Sequence, residues 1–220
     1  MQRIPEPELM NDFAQARAYA MADFEEPHSH FIELFKEQFP ESFDDAALDL
    51  GCGSGDITVR LAEVFPQCRI YGVDGANRML QFARNRIDHL MLHERIKLIH
   101  ALLPDVDLPL KRFNTIISNS LLHHLDSPAM LWQMVNDYSQ SGSRIFMMDL
   151  MRPESREQAE KMVRKYSDSE PDILKEDFFN SLLAAYRVDE VEAQLKDAGL
   201  DYLTVKAVSD RHLVIYGTRP

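Results

Sequence analysis

The segment Leu48-Asp49-Leu50-Gly51-Cys52-Gly53-Ser54-Gly55-Asp56 carries the densest chemical signal in this 220-residue chain. Three glycines alternate directly after an apolar run, where a chain free of side chains turns sharply and lets a ligand lie against its backbone. A dinucleotide fingerprint would want its third glycine at position 56, where Asp56 stands. An aspartate at a helix N-terminus also repels the pyrophosphate that such ends attract. Phosphate-loop chemistry fails as well, because no Lys-Ser/Thr pair follows. The expected ligand is therefore not a dinucleotide. Asp74 ends the next strand, 19 residues beyond Gly55. In nucleotide-binding α/β folds an acid there accepts hydrogen bonds from ribose hydroxyls.

Strands and helices must alternate to hold these groups. Ala46–Leu50 leads into the glycine loop and a helix over Asp56–Phe65; Ile70–Asp74 precedes a helix over Ala76–His89. Ile96–Ile99, Phe113–Ser118 and Arg144–Leu150 read as further strands. Ser127-Pro128 reads as an N-cap with proline in the first helical position, for a helix ending near Tyr138 in Ser139-Gln140-Ser141-Gly142. Asp189–Ala198 is a helix closed by Gly199. Tyr202–Val208 and Leu213–Thr218 follow as strands joined by a link too short for a parallel crossover, so the sheet ends in one reversed strand. The fold class is α/β: a seven-stranded, mostly parallel sheet with helices on both faces. Residues 1–43 form a helical, acidic lead-in that breaks at Pro40. Residues 151–187 form a helical insertion, or lid, on the carboxyl edge where open α/β sheets bind ligands. All 220 residues read as one domain.

Composition narrows the function. The net charge of −12 disfavours a phosphate backbone as partner, so no nucleic acid is expected and a small molecule is preferred. Apolar runs are broken by charges well short of a membrane span, and the first ten residues lack the apolar stretch of a secretory signal. Cys52 and Cys68 form no disulfide framework, which fits a reducing, cytoplasmic setting.

Asp49-Leu50-Gly51-Cys52-Gly53-Ser54-Gly55, followed by Gly72-Val73-Asp74, resembles the S-adenosylmethionine (SAM) site of class I methyltransferases. The likeness runs from Ala46 to Thr218. Leu121-Leu122-His123-His124-Leu125 is similar to small-molecule members near the ubiquinone/menaquinone C-methyltransferase-like group. The resemblance implies that Asp49 and the backbone of Gly51, Cys52 and Gly53 hold the methionine end of SAM, with Gly55 completing the loop. Asp74 takes the ribose, Met79 packs near the adenine, and Asn119 lies beneath the sulfonium. Where the family often has Gly-Asp-Ala after strand three, this chain has Ala101-Leu102-Leu103, so backbone groups of Ala101 and Leu102 must meet the adenine. Gly75 stands where the family often has a larger residue.

Methyl transfer from a sulfonium needs alignment, plus a base where the nucleophile holds a proton. The candidate bases are His123, His124 and Asp149, at strand carboxyl ends. Adjacent residues at a helix start diverge by about 100°, so one histidine at most is expected to face the pocket. No ligand spacing demands a metal, although His123, His124 and Asp149 could supply one. Tyr19, His28 and His30 either close over the cofactor or pack in the core. Asp149 with Arg152 either holds a polar substrate or forms an ion pair. Asp210-Arg211-His212 is placed to touch the insertion. The reading is a SAM-dependent methyltransferase of a small acceptor, releasing S-adenosylhomocysteine (SAH). The rivals are a SAM-binding or nucleoside-binding regulatory protein without catalysis and a nicotinamide-dependent oxidoreductase.

Overall fold

Apolar residues on both sides of the central strands force burial of both sheet faces. In the computed structural model, which describes residues 1–6, 9–41, 43 and 45–220, the strands are β1 (Ala46–Leu50), β2 (Arg69–Asp74), β3 (Ile96–His100), β4 (Phe113–Asn119), β5 (Ser139–Leu150), β6 (Thr204–Ala207) and β7 (His212–Thr218). They form one sheet in the order β3-β2-β1-β4-β5-β7-β6. β7 runs antiparallel to both β5 and β6, and the remaining pairs are parallel, as the short final hairpin requires.

Side chains alternate across the strands. Ala47, Ile117, Phe146 and Met148 face one layer, with α2 (Glu25–Gln38) and α3 (Asp56–Val64). There Phe35 packs its ring against Phe39, Phe43, Phe65 and Phe146. Leu48, Leu50, Ile116, Ile145 and Met147 face the other layer, with α5 (Ala129–Tyr138) and α8 (Val188–Asp197). α4 (Asn77–His89) follows β2, and α1 (Phe13–Met21) lies against it through the Ala16, Ala76 and Met79 cluster. Successive strands leave β1 in one direction and return through β4 on its other side. The sheet therefore opens a crevice at the carboxyl ends of β1 and β4.

Pro27 lies inside the first turn of α2, where its missing N–H removes no helical bond. Two local expectations are corrected. Pro128, not Ser127, takes the cap position of α5, and this cap carries no side-chain hydrogen bond. Residues 139–142 belong to β5 instead of a loop. Ser139 pairs with Phe113, and the Ser143 hydroxyl donates to Phe113 O at 2.6 Å while accepting from Gln140 N at 2.8 Å. Side-chain bonding carries the irregular register there.

Between residues 151 and 187 lie α6 (Arg156–Tyr166) and α7 (Asp172–Ala184), with an isolated bridge from Met151 to Tyr186. They cover their own cluster of Leu150, Ala159, Met162, Leu182 and Leu183. No helix among the described residues is long and apolar enough to cross a membrane.

Candidate functional site

The loop after β1 folds around three glycines in the left-handed region, Gly51 at φ +71°, Gly53 at +53° and Gly55 at +78°. Gly51 is doubly constrained, because a Cβ there would stand 2.8 Å from Leu121 Cδ1. The amides of Gly51 and Cys52 both donate to Val73 O, tying the loop to β2. The Cys52 thiol is buried against Gly72, and burial raises its pKa well above the usual value. Its contribution to the loop is backbone.

Two carboxylates flank this loop. Asp74 Oδ2 accepts from Gly53 N at 2.8 Å and Oδ1 from Ala76 N at 2.7 Å; burial outweighs these bonds and raises its pKa. Asp49 is buried at the end of β1 and accepts the Thr58 hydroxyl at 2.5 Å. Burial pushes Asp49 up to about 7, against the Thr58 bond. A nearby cation would return this carboxyl to its charged form.

Asp56, at the start of α3, is half-buried among basic side chains. Burial would raise its pKa, but bonds from His28 at 2.5 Å and Arg60 at 2.8 Å, and the charge of Arg86, hold it well below the carboxylate range. Gly51, Cys52, Gly53, Asp49, Asp74, Met79, Ala101, Leu102 and Asn119 line one cleft, whereas Gly55 packs against Ala83 instead and is not among the residues lining that cleft. Gly75 also lines it, and its lack of a side chain has a steric reason: a Cβ would meet Leu102 at 2.7 Å and Leu9 at 2.9 Å.

A second, larger cavity adjoins it. Asn119, Ser120, His124, Met10, Tyr19 and His28 line both. Residues of α7 and the α6–α7 turn form one wall, and Tyr19 and residues 22–28 form another. Burial pushes the Tyr19 phenol up to about 12. The Asn119 Oδ1 atom is buried at this junction without a hydrogen-bond partner among the described residues.

The chain past β4 turns through Ser120 at φ +54° into a 3-10 turn, Leu122–His124. His123 is buried, its Nδ1 is 2.5 Å from Asp149 Oδ1, and Asp149 Oδ2 accepts from Leu122 N at 2.8 Å. Burial alone would lower the His123 pKa, but Asp149 and Glu6 outweigh it and leave it raised. Glu6, which sequence reasoning missed, brings its Oε1 to 3.3 Å from His124 Nδ1 and 3.6 Å from His123 Nε2. Its own pKa is raised by burial. Both imidazoles line the larger cavity, with ring centroids 4.2 Å apart. The expected divergence of the pair is thus overturned, because both rings converge on one carboxylate.

Other expectations resolve plainly. His30 lines neither cavity and sits beside Glu33. Arg152 does not pair with Asp149: it is buried and bonded to Ala185 O, Met1 O and Glu190. Asp210 accepts from Tyr166 at 2.6 Å, and Arg211 stacks 3.4 Å from the Tyr166 ring, so the hairpin does brace the insertion. Asp177, also missed, accepts from Gln15 Nε2 at 2.9 Å and leaves Oδ2 buried and unbonded among the described residues.

Known proteins share this framework. A family model described as a methyltransferase domain matches residues 42–199. The chain is 29% identical over 115 residues to a malonyl-[acyl-carrier protein] O-methyltransferase of Bacillus cereus, covering 50% of this chain and 38% of that protein. It is 50% identical over 46 residues to a trans-aconitate 2-methyltransferase of an Azoarcus species, covering 20% of this chain and 18% of that one. The chain thus spans less than half the length of these curated relatives. A SAM-dependent methyltransferase from Aquifex aeolicus superposes with a TM-score of 0.69 at 18% identity, covering 93% of this chain and 97% of that one. The plantazolicin methyltransferase BpumL, solved with SAH, gives 0.72 at 13% identity, covering 95% and 91%. The glycine loop, the acid ending β2, the reversed β7 and the matching family model agree: the chain belongs to the methyltransferase domain family and has the fold of SAM-dependent methyltransferases.

Proposed function

We propose that SAM occupies the glycine-lined cleft and that a small-molecule acceptor occupies the larger cavity beside it. One observation carries this reading: the two cavities meet at Asn119, Ser120 and His124, at the carboxyl end of β4. When bound, SAM supplies a methyl carbon on a sulfonium, and in-line attack by the acceptor's lone pair leaves the C–S electrons on sulfur as SAH. The groups present suit such a ligand. Asp49 is a buried acid awaiting a cation, such as the methionine ammonium, and the backbone of Gly51, Cys52 and Gly53 is bare enough to meet its carboxylate. Gly55 completes the loop's turn into α3.

Asp74 would hold the ribose hydroxyls with the lone pairs its two amide bonds leave over. Met79, Ala101, Leu102 and Gly75 would bracket the adenine. The orphaned Asn119 oxygen would face the sulfonium end, where a positive methyl is a natural neighbour. The His123–Asp149 and His124–Glu6 pairs are the groups placed to hold or take an acceptor's proton. The lead-in and residues 151–187 would serve as the acceptor's walls and lid.

Charge refines the acceptor class. Asp23, Glu25, Glu26, Glu170 and Asp177 line the larger cavity, against Arg211 as its guanidinium. Two relatives carry names of acidic acceptors; this lining would repel such a molecule, and it favours a neutral or cationic one. Calorimetric titration with SAM and SAH, followed by transfer of labelled methyl to amine, hydroxyl and carboxylate panels, tests the reading. Binding with transfer to uncharged or cationic acceptors supports it. Absence of SAM binding overturns it.

A further inference from the structure

Glu6 Oε1, His123 Nε2 and His124 Nδ1 converge beside the larger cavity, which both histidines line. Glu6 Oε1 stands 3.3 Å and 3.6 Å from the two nitrogens, and the three ligand atoms all lie within 4.8 Å of one another. Two donors, each about 2.1 Å from a tetrahedral zinc ion, stand about 3.4 Å apart, so two of the spacings match a first coordination sphere. The Glu6 side chain is only 9% exposed, yet its Oε1 makes no hydrogen bond among the described residues. That oxygen lies within ion-pair distance of both imidazoles, so one cation held there would serve the carboxylate and both ring nitrogens at once.

The surroundings are built for a ligand role. Asp149 engages His123 Nδ1, which leaves Nε2 as the donor atom, the carboxylate–histidine arrangement that orients metal-binding imidazoles. Glu6 rides on a pinned segment: Ile4 N donates to Leu183 O, and Arg3 donates to Ala184 O and to His123 O.

We propose that Glu6, His123 and His124 bind one divalent transition-metal ion, with zinc the best match to two imidazoles and a carboxylate. Three protein ligands leave a fourth position for a molecule in the larger cavity, as in catalytic zinc sites. The third ligand comes from the lead-in, whereas Asp149, the acid favoured by sequence, supports from behind. The ion's use rests on the methyl-transfer reading. An acceptor hydroxyl or thiol bound to it would lose its proton to solvent. Its lone pair would then form the bond to the methyl carbon as the C–S bond breaks, with that pair kept by the SAH sulfur. The histidines then act as ligands rather than as free bases.

The test uses the full chain stripped by chelator and titrated with Zn²⁺ against a chromophoric competitor, and separately with Co²⁺. One equivalent should bind, and Co²⁺ should give the visible absorption of a four-coordinate N/O site. Glu6→Ala and His124→Ala should each weaken binding by more than about 100-fold, and Asp149→Asn by roughly 10–100-fold. Glu6→Gln, which keeps the side chain's shape, guards against misfolding, and the Co²⁺ spectrum of the unaltered protein needs no variant. No stoichiometric binding, or binding unchanged in both ligand variants, overturns the site and leaves Glu6 as an ion-pair partner of the histidines. SAM titration on the same samples separates the two claims. Metal binding without SAM binding sinks only the methyl-transfer reading, and the reverse sinks only the metal site.

Discussion

Asp74 Oδ2 accepts the Gly53 amide hydrogen at 2.8 Å, so the acid proposed to hold the ribose also fixes the loop proposed to hold the methionine end. Its second oxygen takes the Ala76 amide at the start of α4. Asp74→Ala therefore removes a ribose partner and strands the backbone donors of Gly53 and Ala76. SAM affinity should fall by about 1–3 kcal/mol or more, and the melting temperature should fall with it. Calorimetry beside a thermal melt reads both, and unchanged affinity would contradict the ribose assignment.

Asp49 makes cofactor binding sensitive to pH. Its carboxyl is pushed up to about 7 in the free protein, whereas an ammonium needs it ionised. Below about 7 the site must first lose a proton, so SAM affinity should drop by an amount approaching tenfold per pH unit. Asp49→Asn should bind weakly and without that slope. A wild-type affinity flat between pH 5 and 7 would remove Asp49 from the ammonium site.

His212, at the start of β7, acts on stability instead. Burial, helped by the neighbouring Arg211 charge, lowers its pKa from 6.5 to about 4; Asp149 and Asp210 oppose this, and His30 adds to it. The unfolded chain takes up this proton below about 6.5, while the native state refuses it until about 4. Stability from this group is present above 6.5 and lost as pH falls through that window, by about 3 kcal/mol in total. Urea melts of the wild type and His212→Gln at pH 7 and 4.5 should show the gap between them narrowing in acid. A constant gap would refute the assignment.

Asp177 joins α7 to α1 through Gln15 and keeps one oxygen bare beside the larger cavity. Asp177→Ala should raise the acceptor KM severalfold while leaving the SAM dissociation constant within about twofold, since the residue lines only the larger cavity. Equal loss of both would make the contact purely structural.

What was legible in the sequence was local. The alternating glycines, the acid ending β2 and the short final hairpin each encode their geometry within a few residues, and the hairpin's short link was enough to predict the reversed last strand. Glu6 and Asp177 gave no signal, because each is an ordinary surface-type acid that burial by a distant element turns into a site residue. The paired orientation of His123 and His124 was hidden for the same reason: a carboxylate from the lead-in draws both rings together. Ser139–Gly142 reads as a loop because serine and glycine are turn formers, yet Ser143 supplies the bonds that keep it in the sheet.

The most direct test is a crystal structure of the chain with SAH. The account predicts its ribose on Asp74, its amino group at Asp49, and its sulfur near Asn119, facing the larger cavity. Density for the nucleoside elsewhere, or a cleft plugged by the chain's own side chains, would contradict it.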